Sequence, residues 1–123
     1  MKEKKIEQLL ELELLELYKE LGEELLKNDR NFNELEDPEK EKAGKRWFNF
    51  NKYELLEKIC GSEIVAKYLN NPKKEDLVYI ISGMADLISG IFISVSPITL
   101  SVLMCKTGLK KNCNEIENMR DEL

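Results

Sequence analysis

The chain has 123 residues, no histidine, 35% charged residues and a formal net charge of −5. The length sets an expectation of one domain, large enough to bury a real core. The missing histidine excludes Ser–His–Asp and Cys–His catalysis, histidine metal sites and an imidazole switch near neutral pH, and the acidic balance argues against nucleic acid as a partner.

Helix signals recur along the chain, and strand-like alternation is confined to the short run Phe48–Asn49–Phe50–Asn51. A first, long Leu/Glu helix is predicted from residue 3 to about 27. At 100° per residue, Ile6, Leu10, Leu14, Leu17, Tyr18, Leu21 and Leu25 fall within roughly a 120° arc. Leu9, Leu12, Leu15 and Leu26 lie outside that arc. This surplus of leucines predicts apolar partners on two sides of the helix, and it marks Leu12 and Leu15 as candidate partner-binding residues. Gly22 inside the helix costs about 1 kcal/mol by propensity.

Residues 28–37 read as a loop anchored by Phe32 and Leu35. Asp37–Pro38 reads as an N-cap and first helical proline, opening a short charged helix to about Phe48. Asn51–Lys52–Tyr53–Glu54 approximates a capping box for a following helix that ends at Gly61. Ser62 caps another short helix, which Asn70–Asn71–Pro72 breaks. The run from Lys45 to Tyr53 mixes basic and aromatic residues. Read against an acidic chain, Trp47, Phe48, Phe50 and Tyr53 plug a corner between helices, and any exposed member is a protein-binding hot spot rather than a nucleic-acid stacking platform. Trp47, Phe48 and Tyr53 join Leu12 and Leu15 as candidate partner-binding residues.

From Leu77 to Cys105 the single charge is Asp86, and 19 of the 29 residues are apolar. A bilayer span needs about 20 predominantly apolar residues. In the window 77–95 Asp86 sits at the centre, at an insertion cost of about 2.5–3.5 kcal/mol. The window 87–105 contains Ser96–Pro97, which reads as a fresh helix start. The favoured reading is an apolar helical hairpin at about 72–107, buried in protein, with Asp86 as a buried polar residue that needs a partner. The alternative is a small membrane-inserting or pore-forming effector using 77–105. A polar helix over 109–122 closes the chain.

The three cysteines, Cys60, Cys105 and Cys113, are odd in number and lack any CxxC pair, so they read as free thiols in a reducing cytoplasm. On one helix Cys105 and Cys113 stand about 12 Å apart, too far for a bond. The N-terminal stretch does not read as a signal peptide, because glutamates interrupt its apolar part. Sixteen lysines against three arginines resemble the usage of an AT-rich bacterium or phage. No glycine-rich phosphate loop, nucleophile elbow or metal motif is present, so no catalytic, metal or cofactor residue is assigned.

The expectation is therefore an all-α, single-domain bundle (1–123) of five or six helices. Amphipathic helices occupy 1–71, the apolar hairpin 72–107 and the polar helix 109–122. It would be a non-enzymatic cytoplasmic interaction protein, an accessory subunit, regulator or inhibitor, that binds another protein or itself.

Overall fold

A computed structural model describes residues 2–27 and 35–121, with side chains from 4 to 119 outside the gap. Within them the chain is all-α. Seven helices follow one another: α1 (Lys2–Leu10), α2 (Leu14–Leu26), α3 (Asp37–Ile59), α4 (Glu63–Asn70), α5 (Leu77–Ile88), α6 (Pro97–Lys106) and α7 (Leu109–Asp121). A 3-10 turn over Lys74–Asp76 leads into α5. One buried apolar cluster draws side chains from every helix. Phe32 lies outside the described residues, while Leu35 is half-buried.

The predicted long first helix is two helices. Glu13 takes an extended conformation (φ −76°, ψ 163°), and its N–H donates to Glu16 Oε1 at 3.4 Å, starting α2 afresh. The break removes the need for a two-sided helix. Leu9, outside the predicted stripe, is buried with Ile6 on α1, and Leu17, Tyr18 and Leu21 form the buried face of α2. Leu12 turns inward and packs on the core, while Leu14 and Leu15 remain exposed.

The two helices predicted on either side of residue 50 are one, the 23-residue α3. Asn51 does not cap. Its Nδ2 donates to the Trp47 carbonyl one turn back at 2.9 Å, a bond compatible with an unbroken helix. Phe48 is 1% exposed and tilted against Tyr18, with ring centroids 6.2 Å apart. It is therefore core, which corrects its assignment as a partner-binding residue.

α2 and α3 pack backbone to backbone. A Cβ at Gly22 would overlap the Lys40 carbonyl oxygen, and one at Gly44 would overlap that of Tyr18. Around this contact, Lys19 pairs with Asp37 at 3.3 Å and Lys40 with Glu23 at 3.7 Å.

The uncharged stretch folds as α5 and α6, packed on each other and joined by residues 89–96. α5 buries Ile80, Ile81, Met84, Ala85 and Ile88. Those positions define one face, and Asp86 lies about 170° away from it. Asp86 is accordingly exposed, which corrects its reading as a buried polar residue. Ser96 caps α6 as predicted, its Oγ accepting from Thr99 N–H at 3.4 Å, with Pro97 in the first turn. α6 buries six consecutive residues, Thr99 to Met104, as a helix surrounded on all sides does. No helix among the described residues is long and apolar enough to cross a membrane.

Cys60 and Cys113 form a disulfide across 53 residues, with Cα atoms 5.6 Å apart, tying the end of α3 to α7. The expectation of three free thiols is corrected; Cys105 alone is free. Closing a loop of this size stabilises by about 4 kcal/mol in the chain-entropy account.

The glycine contact gives a signed prediction. Alanine at either glycine gains helix propensity of about 1 kcal/mol but must push two backbones apart. Gly22→Ala and Gly44→Ala are each expected to lower the unfolding free energy by about 1–3 kcal/mol in urea titrations. Gly61→Ala, with open space around its Cβ and no positive φ, is the control and should change it by less than about 0.5 kcal/mol.

Candidate protein-interaction surface

The segment between α5 and α6 presents an apolar residue to solvent from a well-anchored backbone. Gly90, at φ +87°, lets the chain leave α5, a conformation that side chains other than glycine rarely adopt. Ile91 N–H then donates to the Ile88 carbonyl at 3.2 Å. Phe92 packs edge-on against Trp47 of α3, with centroids 4.8 Å apart and planes at 75°. That is the geometry aromatic quadrupoles favour. Val95 is buried in the core. Between these anchors Ile93 is 100% exposed.

Glu24 of α2 fastens the far end of the segment. Its Oε1 accepts from Ser96 N–H at 2.6 Å, and its Oε2 accepts from the Thr99 hydroxyl at 2.8 Å. A carboxylate at this place satisfies two donors at the start of α6 and meets the positive end of the helix dipole. Burial nevertheless raises the Glu24 carboxyl above its ordinary value. The bonds from Ser96 and Thr99 lower it by less.

On α3, Phe50 lies one turn beyond Trp47 and is 84% exposed, with the exposed Arg46 one turn before it. Trp47 thus stands between Phe50, one turn along its own helix, and Phe92, whose neighbour in the chain, Ile93, faces solvent. Aromatic residues with arginine are the side chains enriched at protein interfaces.

Of the sequence-predicted binding residues, Trp47 belongs to this surface, half-buried under Phe92. Tyr53 is half-buried, with the Lys52 ammonium 5.3 Å from its ring centroid. Leu12 is a partly buried core residue, and Leu15 is 59% exposed at the start of α2. Ile93 and Phe92 escaped the sequence reading because they sit within a charge-poor, largely apolar run that reads as buried throughout. Ser89–Gly90 and Ser96–Pro97 were the signals that a turn, and hence an exposed tip, lay between them.

Two clefts flank Tyr68. One, of about 580 Å³, lies between α4 and the start of α5. The other, of about 990 Å³, is lined in part by Cys105, Lys110, Lys111 and Asn114. The Cys105 thiol is pushed up to about 12 by burial, and its sulfur lies 3.9 Å from that of Met84. It stays protonated at neutral pH, the opposite of a reactive cysteine. Among the described residues no group of three or more Cys, Asp or Glu side chains is placed to hold a metal ion.

Comparison with protein-family models, curated proteins and solved structures finds no match to this chain.

The Glu24 anchor sets a pH dependence. With its folded value raised, the folded protein holds that proton more tightly than the unfolded chain does. Its contribution to stability is therefore greatest below the unfolded carboxylate value and falls as pH rises through the raised folded value. Glu24→Gln keeps an acceptor for Ser96 N–H and an amide that donates to Thr99 Oγ, and should flatten that slope in denaturation series across the acidic range. Glu24→Ala leaves both donors without their acceptor and is expected to cost about 1–2 kcal/mol at neutral pH.

Proposed function

We propose that the protein is a non-enzymatic helical interaction protein, an accessory subunit, regulator or inhibitor that works as one all-α domain. It docks another protein, or a second copy of itself, on the Trp47–Phe50–Phe92–Ile93 surface. The observation that carries this reading is Ile93, fully exposed on a backbone held by Phe92, Val95 and Ser96. A tip held in one conformation loses little entropy on binding, so its apolar area contributes to affinity almost undiminished. Arg46 supplies a charged rim to an otherwise apolar centre.

The alternative is a membrane-inserting effector that uses 77–105. It would have to rebuild this stretch, since α5 and α6 have 12 and 10 residues and a span needs about 20. The same exposed Ile93 and Phe50 would serve a shallow contact with lipid, which is why the test includes vesicles.

A photo-reactive amino acid at position 93, introduced into the full chain in its source cells, should form covalent adducts with protein. Phe50→Glu should weaken that association by roughly 30-fold or more, the scale of a hot spot, and leave thermal stability unchanged, because Phe50 is mostly exposed. A chain that sediments as a monomer and gives no adduct at 93 would end the interaction reading. Flotation of the wild-type protein with lipid vesicles, lost in Phe50→Glu, would favour the membrane alternative instead.

A further inference from the structure

Among the described residues, α7 is held to the rest of the molecule by few side chains besides a covalent bond. Among its described side chains the buried ones are Leu109, Asn112, Cys113 and Ile116, a single stripe at helical spacing. Two of these are large aliphatic side chains. Asn112 Nδ2 donates to the Met104 carbonyl at 3.1 Å and to the Thr107 hydroxyl oxygen at 2.9 Å. Both acceptors belong to the end of α6 and its cap, so these bonds secure only the first turn of α7. Beyond that turn stand Ile116, the 3.8 Å pair between Lys52 and the partly exposed Glu115, and the bond from Cys113 to Cys60. A partly exposed ion pair of this kind holds weakly. Gly108, at φ +103°, separates α6 from α7 and is suited to act as a hinge.

The other end of the bond is approachable. Cys60 is half-buried at the end of α3, and a Cβ at the adjacent Gly61 would meet nothing within 4 Å.

We propose that the Cys60–Cys113 disulfide is a reversible clamp on α7, which a dithiol reductant opens to release the helix from α3. In the first step a thiolate of the dithiol attacks the Cys60 sulfur. A mixed disulfide forms, and Cys113 leaves as a thiolate that takes a proton from water. The second thiolate of the reductant then attacks its own sulfur in the mixed disulfide and expels the Cys60 thiolate, which is protonated in turn. The dithiol ends as a cyclic disulfide and the protein carries two thiols. Release of α7 uncovers the face of α3 on which Lys52, Leu56 and Cys60 stand at successive turns. The third cysteine stays out of the exchange, since its sulfur lies against that of Met84 at 3.9 Å and burial keeps its thiol protonated at neutral pH.

The test is hydrogen exchange of the full chain, read by mass spectrometry before and after dithiothreitol, with alkylation confirming that two further thiols have appeared. Exchange in 109–121 should rise by roughly 30-fold or more, the equivalent of losing a typical disulfide's constraint, with α2, α3 and α5 unchanged. Reoxidation should reverse it. The Cys60→Ala/Cys113→Ala double variant should match the reduced protein. If that variant fails to fold, the reduced wild-type chain, folded beforehand with its bond in place, supplies the reading. Unchanged protection of 109–121 after complete reduction would overturn the clamp, because the non-covalent contacts would then suffice. Loss of protection in all helices together would also overturn it, because the bond would be a staple of the whole fold. Failure of the dithiol to reduce the native protein would overturn it a third way.

Discussion

The contact between the backbones of α2 and α3 at Gly22 and Gly44 is the constraint on which the rest of the arrangement depends. No side chain separates the helices there: each glycine faces a carbonyl of the other helix, at Lys40 and at Tyr18. Such an approach fixes both the distance and the relative register of the pair more tightly than interleaved leucines would. Everything used by the candidate surface is measured from it. Glu24 stands two residues past Gly22, and Trp47 three residues past Gly44. Tyr18 and Phe48, tilted together, fill the space immediately beside the crossing.

The 89–96 segment therefore takes its position from two helices that are locked to each other. α3 holds it in the middle through Trp47 and Phe92, and α2 holds its end through Glu24. The second anchor explains why a carboxylate is tolerated in a half-buried place. The N–H of Ser96 and the hydroxyl of Thr99 lie at a helix start, where donors outnumber acceptors. A carboxylate accepts from both at once and complements the dipole of α6, which offsets part of its desolvation. Because the backbone is held on both sides, Ile93 projects into solvent without the collapse that a free apolar loop would undergo.

The sequence was most informative where chemistry is local. Ser62 and Ser96 cap the helices predicted for them, Gly108 separates the last two, and the boundaries of the polar C-terminal helix lie close to their expected places. It misled where a tertiary contact outweighs a local preference. Asn51 is a good cap by type, yet it bonds backward to Trp47 within an unbroken helix that α2, α5 and α7 all pack against. The surplus leucines near the N-terminus implied two faces on one straight helix, and a break at Glu13 redistributes them over two helices with one face each. Gly22 read as a small propensity cost, because its purpose lies in Lys40, far along the chain. The disulfide was illegible for a related reason: an odd cysteine count with no close pair carries no sign of which two sulfurs the topology brings together.

Asp86 shows how the charge-poor stretch was overread. One acidic residue among apolar neighbours suggested burial, but α5 needs only one apolar face and carries Asp86 on the other. The true centre is α6, where six consecutive residues are buried and α1, α2, α5 and α7 all pack against it. A helix enclosed on every side has no place for charge along its buried length, which accounts for the uncharged run Thr99 to Met104. Of the four helices around α6, α7 is the most polar. Cys113 reaches across to Cys60 on that side. A covalent link there completes what the side chains of α7 supply only in part, and it joins the last helix to the same α3 whose glycine contact positions everything else.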